Sequence, residues 1–336
     1  MAPSQRISIL LALSLLVLPG CLSFQQGPTT AFGTKNFVKI GNENIYVTDE
    51  GQGPAVLLIH GFGASSRSWR AVGPRLVKAG YRVLAVDLPG HGFSDKYAGD
   101  YSIKAVGRKV LAVLERKGAT RPHVVAHSWG TAVALGMARQ APTKVRSLTL
   151  LASFAYEEQL PPFMIWARAP GLGEFLFAFI WDQRLDDRLN YAFYDPDRFA
   201  HPAAADEARE TFRRPGALAA GLAVMRGINF TELQKHYPSL KTPVLIISGK
   251  QDRVTRLPAA RRLHADLPDS RHLVLPRCGH MPLIEHPIKV ERALRGFWAE
   301  LNARERKDQP ESRPAHVNDT DYRHPASPPP PPEVAP

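Results

Sequence analysis

Cysteine is scarce: the chain of 336 residues has only two, Cys21 near its start and Cys278 far from it. A disulfide framework is therefore not expected, and Cys278 reads as a small packing residue. No apolar run reaches the roughly 20 residues of a membrane-spanning helix; the run Ile7 to Leu18 falls short. There is no internal repeat, and no basic helix or interleaved aromatic signature of the kind that reads RNA. Nucleic acid is thus not expected as a partner, although 43 Lys+Arg outweigh 31 Asp+Glu for a net charge of +12. The basic residues are interleaved with acids and read as solvated surface, compatible with nearby anionic lipid headgroups. What is present is ordinary globular material: 44% hydrophobic residues can bury one large core, and one main domain is the default.

The first twenty residues have the layout of a secretory signal peptide: Arg6, the apolar run, then Leu18-Pro19-Gly20 before Cys21. "LPGC" resembles the lipobox of bacterial lipoproteins, which implies that Cys21 is acylated and begins the mature chain. Leu22, rather than aspartate, leans towards an outer membrane where there is one. The expectation is an exported, envelope-located protein held to a membrane by an N-terminal lipid. Residues 21–35, with "QQGPTTAFGT", read as a flexible tether. Residues 303–336, closing on "HPASPPPPPEVAP", read as an extended proline-rich tail.

Between these ends, short apolar runs alternate with helical patterns. The runs are "NIYVTDEG", "AVLLIHG", "YRVLAVDLPG", "PHVVAHS", "VRSLTLLAS", "TPVLIISG" and "RHLVLP". Helices are expected near Trp69–Lys78, over Ile103–Arg116, after Trp129, near Ala259–Ala265 and over Ile288–Leu301. Continuous apolar strands separated by helices predict an α/β fold with a mostly parallel central sheet covered on both faces. The rhythm breaks over 154–240, which is rich in aromatics and prolines and reads as an inserted helical cap. The core is then 36–153 plus 241–302.

In such a sheet, ligand sites form beyond the carboxyl ends of strands. Loops of chemical interest follow the runs: "HGFG" (60–63), "DLPGHG" (87–92), "HSWG" (127–130), "GKQDR" (249–253) and "CGHMP" with His280. Ser128 sits where the run Val124-Val125-Ala126 gives way to helical spacing at Ala132, Leu135, Gly136 and Ala138. A buried hydroxyl needs a partner, so Ser128 is either a helix N-cap or a nucleophile on a sharp strand-to-helix turn.

This set of loops resembles the α/β-hydrolase family over roughly 36–302. The family's elbow is Gly-x-Ser-x-Gly, followed in chain order by an acid and a histidine; here it is Ala126-His127-Ser128-Trp129-Gly130, then Asp252, then His280. The resemblance implies the α/β-hydrolase fold and a triad. Ser128 is the nucleophile, His280 the base that takes its proton and returns it to the leaving group, and Asp252 the acid that holds the imidazole tautomer. It also implies an oxyanion hole built from the backbone N–H groups of Phe62 and Trp129, with Gly61 and Gly63 permitting the tight loop. Glu157 or Glu158, after the run ending at Ser153, is the alternative acid. His60, His127, Asp87, His91 and Asp95 read as structural. The apolar stripe Phe163, Trp166, Phe175, Phe179 and Trp181 reads equally as a pocket wall or as cap core.

The expected activity is a capped serine hydrolase, needing no cofactor or metal, that cleaves an ester or related acyl bond of a small molecule. Enzymes with the same triad cleave carbon–carbon bonds, make peracids or transfer acyl groups. The non-enzymatic alternative is an envelope ligand-binding protein with a vestigial site.

Overall fold

The computed structural model describes residues 35–177, 185–200, 209–211 and 213–308. The signal-like segment, Cys21, most of the tether, the proline-rich tail beyond Asp308, Phe179 and Trp181 lie outside the described residues.

The described residues form a sheet in the order β1-β2-β4-β3-β5-β6-β7-β8. The strands are β1 (Phe37–Ile40), β2 (Glu43–Glu50), β3 (Ala55–Ile59), β4 (Arg82–Val86), β5 (His123–His127), β6 (Ser147–Leu151), β7 (Val244–Gly249) and β8 (Ser270–Leu275). From β4 to β8 all neighbours are parallel, with registers such as Leu58↔Val125 and Val125↔Thr149. The antiparallel pair β1–β2 extends one edge beyond β4. Strands β5, β6 and β7 are buried along their whole length, as expected of a sheet covered on both faces. They read as near-continuous Val, Leu and Ile for that reason.

Strand β1 was not among the expected runs. Its four residues are half-exposed at the sheet edge, too short for an alternation to register. Its hairpin to β2 turns through Gly41 at φ +59°, a left-handed conformation that glycine adopts without a Cβ clash.

Helix α1 (Gly73–Lys78) begins later than the expected Trp69, which instead closes a short 3₁₀ turn over Ser66–Trp69. Pro74 in the first turn of α1 sets this boundary, because a proline needs no N–H there and cannot continue a helix from upstream. Helix α2 (Ile103–Arg116) starts at Ser102, whose side chain accepts the Ala105 N–H. Helix α3 (Trp129–Gln140) follows β5 directly and is buried along most of its length.

Between β6 and β7 the described residues contain helices and no strand. These are α4 (Pro162–Trp166), α5 (Leu172–Phe175), α6 (Leu185–Ala192), α7 (Pro196–Phe199), α8 (Ala217–Gly227) and α9 (Phe230–Gln234). Trp166 and Phe175 are 57% and 54% exposed, so neither is cap core. Helices of five and four residues have one buried face at most, and here Phe163 rather than Trp166 packs on the core. Helices α10 (Leu257–Asp266), α11 (Pro282–Glu285) and α12 (Pro287–Asp308) complete the described residues. Helix α12 runs past the boundary expected at 302, because "ARERKD" consists largely of good helix formers. By compactness, the described residues up to Arg295 form one unit, and those from Gly296 to Asp308, all helical, belong to a second.

Four buried imidazoles are held neutral by desolvation: His60 is pushed down to about 4 and His91, His123 and His127 to about 3. Each binds fewer protons folded than unfolded below pH 6.5. Their stabilising contribution is therefore whole above that pH and is lost as pH falls towards the folded values. The loss is about 1.4 kcal/mol per pH unit for each ring. Asp87, raised by burial, acts with the opposite sign. The urea midpoint is expected to be clearly lower at pH 5 than at pH 7; equal midpoints would contradict this.

Candidate active site

Ser128 lies between the end of β5 and the start of α3 with φ 51° and ψ −124°, a conformation that costs a non-glycine residue about 1–3 kcal/mol. Its side chain makes no capping bond to α3, so the N-cap alternative does not describe it. The turn is over-determined by its neighbours. Ser128 N–H donates to Leu151 O at 2.9 Å, and Ser128 O accepts from Thr131 N–H at 2.9 Å and Thr131 Oγ1 at 2.6 Å. Phe154 N–H donates to Thr131 Oγ1 at 3.0 Å, tying the elbow to the segment after β6. A Cβ at Gly130 would lie 2.4 Å from His60 O, which accounts for glycine there. Ala126 takes the place of the first elbow glycine and its methyl is fully buried.

The elbow, the Asp252 loop after β7 and the His280 loop after β8 converge. His280 Nε2 lies 3.0 Å from Ser128 Oγ, and His280 Nδ1 lies 3.0 Å from Asp252 Oδ2. The carboxylate places the imidazole proton on Nδ1, leaving Nε2 to accept from the serine hydroxyl. Asp252 Oδ1 accepts the N–H groups of Val254 and Thr255 at 2.8 and 2.9 Å, and Oδ2 also accepts Thr255 Oγ1–H at 2.7 Å. Burial alone would raise the Asp252 carboxyl. His280 beside it and the bonds from His280 and Thr255 outweigh burial and hold it down to about 2, so it is a carboxylate at neutral pH.

Glu157 and Glu158 do not approach His280. They lie in a 3₁₀ turn after β6, where Arg168 binds Glu157 and Arg262 binds Glu158. The position after β6 that made them candidates leaves both paired with arginines, one from the cap and one from the helix Leu257–Asp266.

The "HGFG" loop lies against the elbow: a Cβ on Gly61 would be 3.0 Å from Ser128 Cβ and 3.1 Å from His127 Nδ1. His60 fixes this loop, with Nδ1–H donating to Gly61 O at 2.7 Å and Nε2 accepting Leu88 N–H at 2.9 Å. His91 stacks on Trp129 at 5.4 Å and meets Phe62 edge-on at 5.8 Å, so one ring braces both residues whose amides were expected to bind an oxyanion. Asp87 accepts Ser66 N–H at 2.6 Å and Phe93 N–H at 2.8 Å, and Asp95 accepts Asn44 N–H at 2.8 Å. Cys278 is buried and unbridged, its thiol pushed up by desolvation.

Thr255 was missed by sequence reasoning; a hydroxyl three residues after the acid was the available signal. An open cleft of about 650 Å³ lies on the outer flank of the acid loop, lined by Tyr191, Tyr194, Gln251, Asp252, Arg253 and Arg256. A hydroxyl bonded to an imidazole, itself bonded to a buried carboxylate, is an arrangement suited to nucleophilic attack on an acyl carbon.

Residues 54–287 match the family described as alpha/beta hydrolase fold, and the chain belongs to that family. It is an enzyme, and proteins named as hydrolases and esterases are among its relatives. A 2-hydroxy-6-oxononadienedioate/2-hydroxy-6-oxononatrienedioate hydrolase of Comamonas testosteroni is 28% identical over 285 residues, covering 82% of this chain and 98% of the relative. The pimeloyl-[acyl-carrier protein] methyl ester esterase of Neisseria meningitidis is 33% identical over 248 residues, covering 72% and 92%. The crystal structure of wild-type Cfl2 from Burkholderia cenocepacia superposes with a TM-score of 0.70 at 28% identity, covering 78% of this chain and 94% of that one.

Proposed function

We propose that this enzyme is a serine hydrolase that cleaves a carboxylic ester, or a related acyl bond, through an acyl-enzyme on Ser128. The observation that carries this reading is the unbroken hydrogen-bond chain from Ser128 Oγ through His280 to Asp252. Ser128 Oγ attacks the acyl carbon while His280 Nε2 takes its proton. The same proton passes to the departing alkoxide, leaving the acyl group on Oγ. Water then attacks, gives a proton to Nε2, and the acid leaves as Oγ recovers that proton. Asp252 stays ionised throughout and stabilises the imidazolium. The amides of Phe62 and Trp129 are the proposed donors to the oxyanion. Hydrolysis of p-nitrophenyl esters of graded chain length tests this, with active-site labelling by a fluorophosphonate; no turnover and no labelling would overturn it.

Carbon–carbon bond hydrolysis is the second reading, favoured by the Comamonas testosteroni relative, whose name is that of a hydrolase of 2-hydroxy-6-oxo dienedioates and which matches over nearly its full length. The same attack on a ketone would expel a carbon leaving group, which needs an adjacent enol or carbonyl to accept the electron pair. A higher kcat/KM on a 2-hydroxy-6-oxo-dienoate than on every ester tested would select this reading. Acyl transfer to an alcohol, or to hydrogen peroxide to give a peracid, would follow from the same acyl-enzyme and is separated by product analysis.

The proposal includes export and acylation of Cys21, supported by the signal-like run that ends in "LPGC". Several acyl chains, at about 0.8 kcal/mol per buried CH₂, give stable attachment. Cys21→Ser is expected to move the protein from the detergent-extracted membrane fraction to a soluble or unprocessed form and to abolish incorporation of labelled palmitate. An unchanged fractionation without label in the wild type would count against lipidation.

A further inference from the structure

The carboxyl end of cap helix α6 is bonded to both loops that carry the acid and the base. Arg253, the neighbour of Asp252, donates through Nη2 to Asn190 O at 3.0 Å and Phe193 O at 2.8 Å. Its guanidinium lies over the Tyr191 ring at 4.9 Å, and Tyr191 Oη donates back to Arg253 O at 3.2 Å. The N–H of His280 itself donates to Ala192 O at 2.6 Å. Glu285 completes the set: Oε2 accepts Tyr194 N–H at 3.0 Å, and Oε1 accepts Gly279 N–H at 2.9 Å and Met281 N–H at 3.3 Å. The backbones are in direct contact, since a Cβ on Gly279 would lie 2.4 Å from Ala192 O and 2.7 Å from Tyr194 N. From the other side, His127 Nε2–H donates to His280 O at 2.8 Å. Both peptide groups of His280 are thus held, one by the cap and one by the elbow.

We propose that Arg253 and Glu285 are positioning residues that, through the backbone of 190–194, seat the His280 loop against Asp252 and make the end of α6 part of the triad's support. The inference rests on the triad reading above. The physical reason lies in the two short bonds on the imidazole: both need its ring held within a few tenths of an ångström, and a loop after the last strand has no sheet neighbour on its outer side to do so. The hydrogen bonds from 190–194 supply that side. One guanidinium nitrogen reaching two carbonyls, and a carboxylate reaching three amides, are suited to it because charge-assisted bonds are the stronger ones.

The test uses Arg253→Met, which removes the donors and keeps the bulk of the stem; Arg253→Lys, which keeps the charge with a compact donor; and Glu285→Gln, which leaves a single oxygen for amides now held by two. The readouts are kcat and KM on p-nitrophenyl butyrate and the second-order rate of phosphonylation of Ser128, each per folded enzyme. R253M and E285Q are expected to lower kcat and the phosphonylation rate about ten- to a hundredfold, with KM little changed and R253K in between. Wild-type kcat per folded molecule in R253M, with lowered thermal stability alone, would show a merely structural role and overturn the proposal. Where R253M does not fold, E285Q decides by the same readouts. Ser128→Ala is measured in parallel. An inactive S128A beside fully active R253M and E285Q overturns this inference alone, whereas an active S128A overturns the triad reading.

Discussion

Ser128→Ala is expected to lower kcat on an activated ester by roughly four to six orders of magnitude while the protein stays folded. The hydroxyl is half-buried, bonded among the described residues to His280, and caps nothing, so its loss removes the proposed nucleophile without removing a helix cap. Alanine at φ 51° carries the same backbone strain as serine, so stability is expected to change by well under about 1 kcal/mol. The checks are steady-state kinetics and a thermal melt on the same preparation. Turnover near the wild-type rate in a folded variant would remove Ser128 from the chemistry.

Asp252→Asn is the second large expected effect, a fall in kcat of about 10⁴ with folding retained. The asparagine Oδ1 can still accept the Val254 and Thr255 amides, so the loop turn survives. The amide nitrogen now faces His280 Nδ1, and a donor there favours the tautomer with its proton on Nε2, which cannot accept from Ser128. The variant also loses the charge that stabilises the imidazolium. Glu157→Gln and Glu158→Gln are expected to change kcat by less than about twofold, since exposed ion pairs of this kind contribute little. A mild effect of D252N beside a collapse in either glutamine variant would reassign the acid.

The three triad candidates were legible because each lies in a loop immediately after an apolar run, and parallel strands must deliver those loops to one edge. The runs themselves were legible because strands buried on both faces are continuous stretches of Val, Leu and Ile. The same reasoning passed over β1, where four edge residues have one protected face and no run to display. It placed the start of α1 too early, because apolar spacing continued through Trp69 and Val72 while Pro74 set the true boundary. Phe62 and Trp129 came from family resemblance alone, since a backbone amide leaves no mark on residue type.

What the sequence determined by itself is seven of the eight strands, a mostly parallel arrangement with one carboxyl edge, and the chain order of Ser128, Asp252 and His280 in the loops there, all consequences of local periodicity and of what must follow a buried strand. Only the tertiary structure shows that the Ser128 side chain makes no capping bond, and that Asp252 is bonded to His280 while the two glutamates pair with arginines; the proposed roles rest on these contacts. The contacts of the triad join residues 28 and 152 positions apart in the chain, from Asp252 to His280 and from Ser128 to His280. The braces also lie outside local pattern: His91 between Phe62 and Trp129, and Arg253 and Glu285 on the end of α6. Their partners are backbone carbonyls, amides and ring faces supplied by distant segments, and such partners exist only once the chain has brought those segments together.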